Sequence, residues 1–124
     1  MKQSFLLIVF SVISLTSFSQ KSDSLSEKPD VSKKLYVVEA SCGQCKFHME
    51  GKGCHLAVRI NGKSYFVDGA DIDSFGDAHG DDGFCMAIRK ANIQGEVVNN
   101  RFKLTYFKLL KTDDKTPLTN LPAN

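Results

Sequence analysis

The sequence has little net charge to offer a partner. Its 124 residues hold 16 Lys and Arg against 14 Asp and Glu, a net charge of +2. A balance this even lacks the basic face that neutralises phosphates, so no nucleic-acid partner is expected. Long apolar runs are missing too. The stretch FLLIVFSVISLTSF, residues 5–18, is interrupted by Ser and Thr and is shorter than the ~20 residues a transmembrane helix needs. No cysteine precedes Cys42, so no lipid attachment near the amino terminus is expected. There is no internal repeat, no phosphate-cradling glycine loop, no serine-nucleophile motif and no paired catalytic carboxylates, so the chain is read as not an enzyme.

What is present begins with an export signal. Lys2 precedes the apolar run, and Ser17 and Ser19 stand at −3 and −1 of a cleavage before Gln20. This basic start, short apolar core and small-residue exit predict a signal peptide over residues 1–19, and hence a periplasmic or secreted product with no stable membrane span after its removal. Residues 20–33, QKSDSLSEKPDVSK, are polar and Ser-rich and read as a flexible tether. Residues 111–124 read as a polar tail, which leaves one small domain over 34–110.

Within that domain the signals are mostly those of strands. KLYVVEASC (34–42) is β-branched and aromatic, and CHLAVRI (54–60) alternates, with Cys54, Leu56, Val58 and Ile60 on one face. Asn61-Gly62 is a strong hairpin turn and predicts that Val58 faces Tyr65, Leu56 faces Val67 and His55 faces Asp68. Asn99-Asn100 repeats the device, pairing Val97 with Phe102 and Glu96 with Lys103, and Gly95 in mid-strand suggests a bulge. Between the hairpins, Phe84, Ala87, Ile88 and Ala91 fall at helical spacing, with Asp81 and Asp82 at the start and Arg89 and Lys90 at the end, which predicts a helix over 81–91. The expected fold is therefore all-β with one helix, a five-stranded OB-like barrel in the order β-β-β-α-β-β. An open sheet covered by a helix is the nearest alternative, and a split ferredoxin-like unit would need a second helix.

The stretch EASCGQCKFHMEGKGCHLAVRINGKSYFVDG, followed by GDAHGDDGFCMAIRKANIQGEVVNNRFKLTYFKLL, resembles a small exported bacterial family of unassigned function, over most of residues 39–110. It also resembles, more distantly, other exported OB-like proteins. The resemblance implies export and an OB-like barrel, and no activity.

Three of the four cysteines fall in CGQCKFHMEGKGCH (42–55). Cys42 and Cys45 form C-x2-C, which brings two sulfurs within reach of one tetrahedral metal. Cys54 and Cys85 can complete a set of four, and His48 has ligand spacing. Thiolates suit zinc, and with Met49 nearby they suit copper. In an oxidising compartment the same residues can be structural disulfides. Cys42–Cys54 would close the mouth of the first loop and Cys45–Cys85 would tie that loop to the helix, in a module that binds an unknown protein or small ligand. A thiol–disulfide exchange protein is a third reading. It lacks the helix N-terminus that usually acidifies the first cysteine of C-x2-C.

The acidic stretch DGADIDSFGDAHGDDG (68–83) has the oxygen density a hard cation wants. Counted from Asp71, Phe75 falls at a ligand position and the twelfth residue is Asp82 rather than Glu, so the stretch reads as a solvated loop.

Overall fold

The computed structural model describes residues 24–111. The expectations for residues 1–23 and 112–124 lie outside the described residues. Five strands form the fold: β1 (Tyr36–Cys42), β2 (Leu56–Ile60), β3 (Lys63–Asp68), β4 (Arg89–Val98) and β5 (Arg101–Leu109). They close into a barrel in the order β1-β2-β3-β5-β4, with β4 returning to β1. All neighbours are antiparallel except β3 and β5, which run parallel through Val67↔Phe102 and Asp68↔Lys103. The Arg101 guanidinium pins that closure by donating to Asp68 at 2.8 Å.

Both hairpins take the expected register. Asn61 and Gly62 adopt φ of 50° and 80°, and Val58 pairs with Tyr65. Asn99 and Asn100 adopt 51° and 62°, and Val97 pairs with Phe102 and Glu96 with Lys103. Two consecutive positive φ angles are what a two-residue turn needs to follow the twist of its strands. The register shifts between Gln94 and Gly95, the expected bulge. His55, expected opposite Asp68, instead bonds Gln44 and stands edge-on to Phe66.

The inward residues make one core: Val38, Ala40, Leu56, Val58, Val67, Ala91, Ile93, Phe102, Leu104 and Phe107, with Phe84 entering from the β3–β4 connection. Val97, the partner of Phe102 across the second hairpin, is half exposed, because the β4–β5 hairpin is solvated from Glu96 to Arg101. From residue 24 the stretch read as a tether lies on the barrel. Ser26 donates to the Thr105 carbonyl at 2.9 Å. The buried Gln94 amide accepts from Asp30 N–H and donates to the carbonyls of Asp30 and Lys33.

The expected helix over 81–91 is absent. Among the described residues there is no α-helix, and none long and apolar enough to cross a membrane. Residues 81–86 are turns, and Arg89 to Ala91 belong to β4. The reason lies in the competing partners. Cys85 N–H bonds the Ala78 carbonyl rather than the carbonyl four residues back. The carbonyls of Phe84 and Ala87, which a helix would offer to residues 88 and 91, instead face β1 and accept from Ser41 and Cys42. Arg89, Lys90 and Ala91 then pair with Ala40, Glu39 and Val38, which closes the barrel. One turn with a bond from Ala87 N–H to the Gly83 carbonyl is all that remains of the helical pattern.

Candidate metal centre

Strand β1 ends on Cys42, whose side chain is completely buried, and the chain turns at once. Lys46 N–H and Phe47 N–H both reach back to the Cys42 carbonyl, at 3.0 and 3.3 Å. That turn brings Cys45 N–H to 3.3 Å from the Cys42 sulfur, so the backbone of the C-x2-C loop donates directly to the first thiol. Gly43 permits the loop to lie flat on the sheet. A Cβ there would stand 2.5 Å from the Phe66 ring and 3.2 Å from the Ala57 Cβ.

The far end of the loop is tied to the near end. Gly43 N–H donates to the His55 carbonyl at 2.8 Å. The Gln44 amide donates to Nδ1 of His55 at 2.9 Å and accepts the His55 N–H at 3.0 Å. These bonds hold Cys54 beside Cys45, with the two sulfurs 3.6 Å apart.

Cys85 arrives from the β3–β4 connection rather than from a helix. Ser41 Oγ lies 2.7 Å from the Phe84 carbonyl and 2.8 Å from the Ala87 carbonyl. Cys42 N–H donates to the same Phe84 carbonyl at 2.9 Å. Three bonds from two adjacent residues of β1 thus hold the backbone on both sides of Cys85. The acidic stretch shapes the approach: Asp73 accepts Ala78 N–H at 2.9 Å, Asp77 accepts His79 N–H at 2.9 Å, and Asp82 pairs with Arg89 at 3.2 Å. Its carboxylates serve the loop's own backbone and a neighbouring cation. Cys42, Ala78 and Cys85 form a small buried cluster, with Cys54 and Ile72 packed against it.

The sulfurs of Cys42, Cys45, Cys54 and Cys85 all lie within 4.8 Å of one another, and all four are free thiols. His48, a ligand candidate on spacing, is exposed with φ of 56° and stands outside this set. Ser41 and Gln44, which carry no metal-ligand chemistry, are the positioning residues that the sequence reading missed. A polar residue beside a cysteine is too common to flag them.

The four thiols differ in acidity. Burial pushes the Cys42 thiol up, but the hydrogen bonds it accepts from Cys45, Cys54 and the backbone of Gln44 outweigh this and leave it below its ordinary value of 9.0. Side-chain hydrogen bonding with Cys42 and then Cys54 pushes Cys45 up to about 11. Burial, then Cys54 and the neighbouring thiolate charge, push Cys85 up to about 12. The arrangement favours a first thiolate at Cys42, against which the other sulfurs are packed.

No curated protein and no solved structure matches the chain. A family model described as a family of unknown function (DUF6370) matches residues 36–110, which take in all five strands and all four cysteines, and the chain belongs to that family.

Proposed function

We propose that this is an exported, non-enzymatic OB-like protein whose Cys42, Cys45, Cys54 and Cys85 together hold one soft or borderline metal ion such as zinc or copper. One observation carries the reading: four sulfurs from three separate segments converge within 4.8 Å of one another. A zinc ion with Zn–S bonds of about 2.3 Å spaces its four sulfurs about 3.8 Å apart, so a small contraction of the cluster meets the requirement. Four thiolates in a tetrahedron suit zinc better than copper, which takes fewer sulfur ligands when reduced. The N–H donated to the Cys42 sulfur supports a thiolate in the way outer-shell donors support metal ligands. The strand order, with β3 and β5 parallel and β4 closing on β1, supports the OB-like label.

The second reading, a ligand- or partner-binding module with structural disulfides, is favoured by the 3.6 Å approach of the Cys45 and Cys54 sulfurs. Elemental analysis with thiol counting, on protein taken from its native compartment, separates the two. The metal reading expects about one metal ion per chain, and four thiols that react only after the ion is chelated. No metal and two bridges would overturn it. Export is tested by the same preparation, as a mature chain beginning at Gln20 in the extracytoplasmic fraction.

A further inference from the structure

The four sulfurs are unequal in reach. Cys42 and Cys85 are 0% and 9% exposed, whereas Cys45 is exposed and Cys54 is half-buried. The two accessible sulfurs are the pair 3.6 Å apart. Cys54 also lines a groove of about 680 Å³, together with His55, Asp68, Ile72 and Arg101, so this edge of the cluster opens to molecules of substantial size. Cys42 and Cys85 instead pack with Ala78 in a small buried cluster.

We propose that Cys45 and Cys54 are a site of reversible oxidation at the open edge of the centre, and that forming their disulfide releases the metal; the second part rests on the metal reading above. The oxidant is a small peroxide. The Cys45 sulfur attacks one peroxide oxygen, the O–O bond breaks, and Cys45 becomes a sulfenic acid while the departing oxygen takes up a proton and leaves as water or alcohol. The Cys54 sulfur then attacks the Cys45 sulfur. The S–S bond forms, the S–O bond breaks, and hydroxide leaves with a second proton as water. Two sulfurs lose two electrons in all, the peroxide gains two, and a zinc ion keeps its charge. The ion is left with Cys42 and Cys85, two ligands where four held it. A dithiol reverses the step by exchange, taking the disulfide into its own ring and returning two thiols. This pairing differs from Cys42–Cys54 and Cys45–Cys85, the bridges that spacing in the sequence suggests. Each of those would draw a buried sulfur into the bridge and leave one of the two accessible sulfurs unpaired.

The test uses the purified chain loaded with zinc and titrated with hydrogen peroxide. A chromophoric chelator follows free zinc, and peptide mapping after alkylation under denaturing conditions locates the bridge. The expected result is one zinc released per disulfide, a bridge joining the Cys45 and Cys54 peptides, and alkylated Cys42 and Cys85. Zinc should rebind after dithiothreitol. A bridge that includes Cys42 or Cys85, over-oxidation with no bridge, or a Cys45–Cys54 bridge with zinc retained would overturn the proposal. The Cys45→Ser chain should form no internal bridge on the same treatment, and a bridge there would also overturn it. If the chain takes up no zinc, the metal reading and the release step fail together. Mapping of the metal-free reduced chain then still decides the oxidation site by the same pairing.

Discussion

Ser41 shows how much of the site depends on a residue with no metal chemistry. Its side chain is wholly buried and its hydroxyl serves two carbonyls on the segment that carries Cys85. Ser41→Ala removes that donor and leaves buried acceptors without it. The expected cost is about 1–3 kcal/mol, read by denaturant unfolding. The same substitution should weaken metal binding, because Cys85 loses part of the frame that aims it. A Ser41→Ala chain with unchanged stability would show that the β1 backbone alone suffices. Such effects are hard to read from the sequence, since a serine beside a cysteine carries no distinguishing signal. The four cysteines are different: they are few and chemically distinct, and a compact barrel has only so many places to put them. Their convergence was therefore legible, while the turn that delivers Cys85 was not.

The elements divide in the same way. Asn61-Gly62 and Asn99-Asn100 specify their hairpins locally, because few residues accept consecutive positive φ, and both registers follow from the sequence. Gly95 was legible for the same reason. Its φ is 155°, and a Cβ there would overlap the Lys103 carbonyl oxygen and stand 2.6 Å from the Phe102 ring. Gly95→Ala should destabilise the domain by about 1–3 kcal/mol in denaturant unfolding, through strain and displacement of β5. An unchanged midpoint would mean that the bulge accommodates a side chain freely. The stretch over 81–91 misled because its spacing is helical while its fate is decided elsewhere. Phe84 is drawn into the barrel core, the Phe84 and Ala87 carbonyls are taken by β1, and closure requires Arg89 to Ala91 as strand. Periodicity within the segment carries no information about those partners.

At the scale of the molecule, the cluster couples folding to pH and to metal. In the metal-free reduced protein, Cys42 sits below 9.0, while Cys45 and Cys85 are pushed up to about 11 and about 12. Between the lowered Cys42 value and 9.0 the folded chain binds fewer protons than the unfolded one at this site, so the Cys42 contribution to stability rises with pH. Above 9.0 it holds protons on Cys45 and Cys85 that the unfolded chain has released, so stability falls as pH climbs toward 11 and 12. The two raised thiols outweigh the one lowered thiol before 9.0 is reached, so thermal unfolding of the metal-free chain should pass through a maximum below pH 9. A metal-loaded chain should lack the alkaline decline, because its sulfurs are already thiolates, and should instead lose stability in acid as protons compete with the ion. A metal-free chain whose melting temperature keeps rising above pH 9 would contradict this.

The most discriminating comparison pairs two substitutions that both weaken the fold. Phe102 is 1% exposed in the barrel core, and Phe102→Ala should cost about 3–5 kcal/mol while leaving the four sulfurs in place. That chain should still bind one metal ion and still lose melting temperature on chelation, since an ion that binds only the folded state stabilises it by mass action. Cys85→Ser should also melt earlier, but with three sulfurs left it should bind no stoichiometric metal and should be indifferent to chelator. Stability alone cannot separate the two variants. The response to chelator can, because it depends on the fourth sulfur rather than on the core. A Cys85→Ser chain that keeps its metal and its chelator response would remove Cys85 from the centre and reduce the site to the loop between β1 and β2.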